Sequence, residues 1–211
     1  MKNKTHRGLL LVISSPSGVG KTSIVNHLLR IESDLSMSVS VTTRPKRAGE
    51  IDGKDYHFVS QKEFQALRQQ GSFMEYAEVY GNYYGTPRDF VLMKIENGFD
   101  MVFDIDWQGA QQLAQLARHD LVSIFVLPPS IKELGERLHK RGLDSPEIIE
   151  KRLSQTINEL SHWAEYDYVI INTDLEESVY HVQRILQTER LKRIRQPHLI
   201  NFVQKLCQEK L

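Results

Sequence analysis

A single cysteine, Cys207, in 211 residues excludes an intramolecular disulfide and a cysteine-based metal cluster. It is expected as apolar filler in a terminal helix. The chain also lacks charge of one sign: Lys plus Arg and Asp plus Glu are both 27. That balance gives no global basic field of the kind that nonspecific nucleic-acid binding relies on, so local clusters must carry any anion binding. Long apolar runs are missing too. The start is basic, MKNKTHRG, but the hydrophobic stretch behind it is too short for a signal or membrane segment, and a cytoplasmic protein is expected. There is no internal repeat or low-complexity tract, and the length suits one domain with a substantial core.

What is there begins with GLLLVISSPSGVGKT, Gly8 to Thr22. Leu9 to Ile13 is short and aliphatic and ends in turn-forming residues, which predicts a strand covered on both faces. Ser15, Pro16, Ser17, Gly18, Val19 and Gly20 form a loop able to wrap an anion. Lys21 and Thr22 then open a helix whose Ile24, Val25, Leu28 and Leu29 share one face. This is a P-loop, with Ser15 where the first glycine normally stands. Gly18 and Gly20 let N–H groups point at phosphate oxygens, Lys21 supplies charge between the β- and γ-phosphates, and the Thr22 hydroxyl is placed to ligate Mg2+.

Met37 to Thr42 alternates apolar and hydroxyl residues and is expected as one strand leading into TTRPKRAGE, where Arg44 and Arg47 sit three apart. A short strand at Tyr56 to Val59 is followed by a capping box, Ser60 with Glu63, which starts a helix ended by Gly71. The strand Phe73 to Tyr80 carries Glu75 among apolar residues, and a carboxylate there needs a partner. Thr86 is expected as a helix N-cap with Pro87 at the first helical position. Met101 to Phe103 is a second buried strand, ending at Asp104 in the manner of a Walker B carboxylate that orients Mg2+ or its waters. A third follows at Leu121 to Leu127, and strands alternating with helices imply a mainly parallel α/β sheet. Arg137 and Arg141 lie one turn apart on the next helix and Arg152 on the one after it, set to close over polyphosphate or to pair with neighbouring glutamates. After a fourth strand, Tyr168 to Ile171, two amphipathic helices follow. Their Val179, Val182, Ile185 and Leu186, then Leu199, Val203 and Leu206, are expected to face the core, and Arg190 to Arg195 to form a solvated helix face.

The ordered segments SSPSGVGKT, SVSVTTRPKRAGE, DGKDYHFV, FMEYAEVYGNYYGT, FDIDWQGAQQ, LPPS, RLHKRG and AEYDYVIIN resemble guanylate kinase, the bacterial enzymes above all, along nearly the whole chain. The resemblance implies an α/β fold of the P-loop nucleoside monophosphate kinase type, with a mainly parallel sheet flanked by helices. Within the single domain 1–211 it implies a core of about 1–36, 98–135 and 155–211, a GMP-binding lobe of about 37–97 and a helical lid of about 136–154. The implied activity is Mg2+-dependent transfer of the ATP γ-phosphoryl group to the 5′-phosphate of GMP, giving ADP and GDP, in purine nucleotide metabolism and GMP recycling. ATP and GMP are the implied partners, with neither nucleic acid nor membrane; dGMP use and a homo-oligomer stay open.

By position, Ser40, Arg44, Arg47, Tyr56 and Tyr84 resemble the residues that hold the GMP phosphate, and Glu75, Thr86 and Asp106 those that read guanine. The loop from Ser15 to Thr22 matches the ATP site, Asn172 an ATP-side contact, and Thr22 and Asp104 the metal site, the latter through water. Lys21, Arg44, Arg137, Arg141 and Arg152 match the family's catalytic cations. Lys46 stands where proline is usual between the two arginines, which alters loop stiffness more than chemistry. Domains similar to guanylate kinase also serve as noncatalytic phosphopeptide-binding modules; retention of Lys21, Thr22, Asp104 and the arginines favours the enzyme.

Overall fold

The computed structural model describes residues 6–79, 81–141 and 146–209, and the side chains of 141–149 and of 151 lie outside that description. The chain opens with β1 (Leu10–Ser14), α1 (Lys21–Ile31), β2 (Leu35–Met37), β3 (Val41–Thr42), β4 (His57–Phe58) and α2 (Gln61–Gln69). Then come β5 (Phe73–Val79), β6 (Asn82–Pro87), α3 (Arg88–Glu96), β7 (Asp100–Asp104), α4 (Trp107–Ala117) and β8 (Leu121–Leu127). The last part comprises α5 (Ile131–Arg141), α6 (Pro146–Ser161), β9 (Tyr168–Ile171), α7 (Leu175–Arg190) and α8 (His198–Gln208).

The expected α/β core is present. Its five strands run parallel in the order β2-β7-β1-β8-β9, so the aliphatic β1 is central and wholly buried. Alternation along β1 divides the core into two layers. Leu11 and Ile13 pack with Ile24, Val25 and Leu28 of α1 and with Val179, Val182 and Leu186 of α7. Leu10 and Val12 pack with Val91 and Ile95 of α3 and with Leu113 of α4. A parallel sheet sandwiched this way opens a crevice at the carboxyl ends of its strands. The register pairs Ile13 with Asp104, which sets that carboxylate beside the start of the loop between β1 and α1.

A second sheet, β4-β3-β6-β5, has antiparallel β3–β6 and β5–β6 pairs and a parallel β3–β4 pair. Its small core stacks Phe64 on Phe73 and on Tyr83, with ring centroids 4.7 and 5.4 Å apart. The capping box of α2 forms as expected, with Ser60 and Glu63 bonded reciprocally, and Gly71 has φ +68° beyond its end. Gln112 of α4 ties the two sheets together: its side-chain amide accepts from the Tyr76 N–H at 3.1 Å and donates to the Tyr76 carbonyl at 2.7 Å.

Four expectations need correction. The alternating run from Met37 to Thr42 is not one strand but passes from β2 in the core sheet to β3 in the small one, and Ser38 and Thr42 are buried with Val41. A two-residue repeat was satisfied locally on each side of a crossing between sheets. Thr86 is not a cap: α3 begins at Arg88 after Pro87, and the Thr86 hydroxyl donates to Glu75 instead. The basic run from Arg190 to Arg195 is not all solvated, because the end of α7 and the short 3-10 turn Arg193–Arg195 direct both terminal arginines inward. Arg190 pairs at 2.7 Å with both Asp100 and Glu32, and Arg195 donates to the Glu189 and Asp120 carbonyls. Finally, α8 has no buried residue: Val203 and Leu206 are about half exposed, and Cys207 is exposed rather than filling a core. Among the described residues, no helix is long and apolar enough to cross a membrane.

Stability should follow these corrections. Asp100 is 1% exposed, so Arg190→Ala leaves a buried carboxylate without its ion-pair partner and should cost about 3 kcal/mol in urea unfolding. Val203→Ser on the exposed face of α8 should change the same measurement by less than about 0.5 kcal/mol.

Candidate active site

Two sets of side chains line the crevice, one from the core sheet and one from the small sheet. The first is built on the loop between β1 and α1. Gly18 and Gly20 have φ +90° and +110°, a region in which a side chain is strained. A Cβ would also come within 2.7 Å of Leu138 at Gly18 and of the Asn172 amide at Gly20. Gly20 caps α1 without a side-chain hydrogen bond and the first turn carries no acidic residue, so the helix N-terminus keeps its positive partial charge.

The loop is held at the carbonyl of Val19. Val19 O accepts from Asn172 Nδ2 at 2.7 Å and from Arg137 Nη1 at 3.0 Å. Asn172 is buried and also accepts from the Ser178 hydroxyl at 2.8 Å, while Arg137 reaches the Asn172 carbonyl and pairs with Glu133 one turn back at 2.5 Å. The structure therefore places Arg137 and Asn172 on the loop as braces. Arg152 of α6 donates to the Ser17 hydroxyl at 2.8 Å, whereas the Arg141 side chain lies outside the described residues. Ser15, the departure from the P-loop pattern, donates its hydroxyl to the Pro16 carbonyl.

Lys21 projects across to β7. Its ammonium is 2.8 Å from Asp104 Oδ1 and 3.0 Å from the Ile105 carbonyl, and the Thr22 hydroxyl donates to Asp104 Oδ2 at 3.2 Å. A hydroxyl and a carboxylate oxygen at that separation are hard oxygen donors of the kind Mg2+ takes alongside water.

The second set comes from the small sheet. Glu75 is 3% exposed and Thr86 is fully buried, and their 2.6 Å hydrogen bond brackets the β5–β6 pair. Ser40 comes within 3.4 Å of the Thr86 hydroxyl. Burial, reinforced by the nearby negative charge of Asp106 and only partly offset by Thr86, pushes the Glu75 carboxyl up to about 7. Glu75 fits against α4 because Gly109 has no side chain: a Cβ there would lie 2.6 Å from Glu75 Oε2. Asp106 caps α4, accepting from the Gly109 N–H at 3.1 Å. It therefore has a structural role that the Asp104–Asp106 spacing did not suggest.

Arg44 pairs with Glu50 at 2.6 Å and sits 5.3 Å from the Tyr56 ring centroid. Tyr56 and Tyr84 meet edge to face at 5.9 Å, and Tyr84 adds a hydrogen bond to Arg44. Arg47 is exposed, and its backbone N–H donates to Glu50 at 2.7 Å. Arg44 above all, together with the Arg47 amide and both positive charges, holds the Glu50 carboxyl below the ordinary carboxylate range. The two sets are close enough to interact: burial and the charge of Asp104, across the crevice, push the Tyr56 hydroxyl up to about 12.

Sequence reasoning missed Glu50, Gly109 and Glu159. Glu159 accepts from the Ser17 N–H at 3.3 Å. Its signal was available: it lies seven residues after Arg152, on the same helical face.

The guanylate kinase family model matches residues 7–189. The chain is 55% identical over 203 residues to guanylate kinase from Rhizobium meliloti strain 1021, covering 96% of this chain and 93% of that one. It is 54% identical over 202 residues to guanylate kinase from Paramagnetospirillum magneticum, covering 96% and 94%. Among solved structures, guanylate kinase from Anaplasma phagocytophilum superposes with a TM-score of 0.83 at 39% identity, covering 98% of this chain and 99% of that one. Matches of this length and identity, on a chain with this fold and this crevice, establish that the protein belongs to the guanylate kinase family.

Proposed function

We propose that this chain is an ATP:GMP phosphotransferase that moves the γ-phosphoryl group of ATP to the 5′-phosphate of GMP, giving ADP and GDP. The observation that carries this reading is the buried carboxylate of Glu75 in the small sheet, held by Thr86 and within the electrostatic reach of Asp106 at the start of α4. Guanine presents an N1–H and an exocyclic amine on one edge, and one carboxylate can accept both. Adenine lacks that pair, so AMP would leave a buried carboxylate unsatisfied. Residues 37–97 are the GMP-binding lobe in this reading, 136–154 the lid, and the rest the core.

The acceptor phosphate is already ionised near neutral pH, so no general base has to make a nucleophile. Repulsion between two polyanions is the barrier. Arg44, Arg47, Tyr56, Tyr84 and Ser40 hold the GMP phosphate, with Glu50 giving way to it. Glu75, Thr86 and Asp106 read the base. The amides of the loop from Ser15 to Gly20, braced by Arg137 and Asn172, cradle the ATP phosphates. Lys21 leaves Asp104 for the β- and γ-phosphates, and Arg137, Arg141 and Arg152 spread the charge that builds on the transferring group. Thr22 and Asp104 fit a Mg2+ ion, which when bound neutralises charge on the ATP phosphates.

The reading is tested by ADP production from Mg-ATP with GMP, AMP, CMP or UMP as acceptor. GMP alone should support rapid turnover, and Lys21→Ala should lower it by about 100-fold or more. Equal use of AMP would remove the base-reading role of the small sheet.

Glu75→Gln separates recognition from stability. A carboxyl whose folded-state value is raised from 4.5 to about 7 favours the folded state less as pH climbs through that window. At pH 8 the glutamine variant should therefore be more stable than the parent protein, by up to about 3 kcal/mol. The difference should vanish below the ordinary carboxylate value. The same variant should lose discrimination of GMP over AMP by about tenfold or more. Unchanged GMP preference would take Glu75 out of the recognition site.

A further inference from the structure

Beyond Asp104, the chemistry proposed above has no use for a negative charge at the P-loop, yet the carboxylate of Glu159 also lies there. Arg152, Thr156 and Glu159 occupy successive turns on one face of α6, and Thr156 is 1% exposed with its hydroxyl donating to the Arg152 carbonyl at 3.1 Å. The two outer residues grip a single loop residue. Arg152 Nη1 donates to the Ser17 hydroxyl at 2.8 Å, and the Ser17 N–H donates to Glu159 Oε2 at 3.3 Å. The hydroxyl and the amide of Ser17 are thus both engaged by α6. Around the Glu159 carboxylate, Lys21 and Arg152 favour its charge and Asp106 opposes it; burial is the largest influence and raises its pKa.

We propose that Glu159 is a built-in occupant of the polyphosphate site, holding the Ser17 amide and the field of Lys21 and Arg152 until the phosphates of ATP displace it. This rests on the P-loop being the ATP site. An amide and two cations arranged for a polyanion form a strong anion trap, and a tethered carboxylate fills it at high effective concentration. A small monoanion must compete with that carboxylate and gains little. ATP brings several negative charges, takes the amide and both cations, and so displaces it. Because Glu159 is carried by α6, the exchange also frees one of the described links between that helix and the loop, which couples nucleotide entry to the position of the helix.

Calorimetric titration with Mg-ATP in the absence of GMP tests this on the full chain. Glu159→Gln keeps the shape and removes the charge, so it should bind Mg-ATP about fivefold or more tightly than the parent protein, with the GMP dissociation constant unchanged. Unchanged or weaker ATP binding by the folded variant would overturn the proposal. In the unaltered protein, the side-chain carboxyl 13C resonance of Glu159 should move on saturation with Mg-ADP, and a stationary resonance would overturn it equally. Lys21→Ala serves as the control for the underlying reading. If ATP binding to the parent chain does not depend on Lys21, the P-loop assignment itself fails; if it does and Glu159→Gln binds no more tightly, the Glu159 proposal alone fails.

Discussion

Cations collected to receive a polyanion repel one another whenever the polyanion is absent, and the crevice is organised around that constraint. Each described cation that is buried or half-buried there has a carboxylate at hand. Lys21 lies 2.8 Å from Asp104, Arg137 lies 2.5 Å from Glu133 and Arg44 lies 2.6 Å from Glu50. Glu159 sits in the field of Lys21 and Arg152. At such separations uncompensated charges in a partly dry site would cost several kcal/mol. The fold supplies each partner by a different local device: the parallel register of β1 on β7 for Asp104, one helical turn for Glu133, and a short loop returning on itself for Glu50. The even balance of acidic and basic residues in the composition has its local counterpart in these pairs.

Much of this was legible in the chain. The aliphatic strands, the P-loop and the Ser60 capping box depend on patterns that span a few residues, and local physics decides them. What was not legible depended on contacts far apart in sequence. Arg190 looks like any arginine at the end of an amphipathic helix until Asp100 and Glu32, from β7 and the end of α1, are brought beneath it. Thr86 followed by Pro87 satisfies a capping pattern, yet the β-ladder to Glu75 took the hydroxyl first. In α8 the error has a different origin. The helix has the apolar spacing of a buried element, but spacing states only that a face exists and not what covers it.

The candidate site shows the same division. Residues on the P-loop could be placed from type and order alone, since glycine at positive φ and lysine at a helix start have direct physical reasons. Asp106 and Asn172 could not. Both are engaged within the protein, Asp106 as the cap of α4 and Asn172 as a brace on the Val19 carbonyl. A side chain fixed by structural hydrogen bonds is also pre-oriented, so a structural role and a recognition role need not compete. Gly109 illustrates the converse, a residue whose contribution is the atom it lacks, which no side-chain pattern can reveal.

Pairing the described buried and half-buried cations internally has a consequence for affinity. A phosphate that enters the crevice must replace a carboxylate that is already bonded, so its net gain is the difference between two charged interactions and not the full strength of either. Substrate binding is thereby weakened most for ligands that replace one carboxylate and least for those that replace several at once. Because the carboxylates belong to different elements, Glu50 to the loop after β3 and Glu159 to α6, each exchange also loosens a different internal contact. In the proposed reaction the two substrates would therefore unlock different parts of the same crevice. Bringing those parts together would then depend on both polyanions being present, which would confine transfer to the moment when water has the least access to the phosphoryl group.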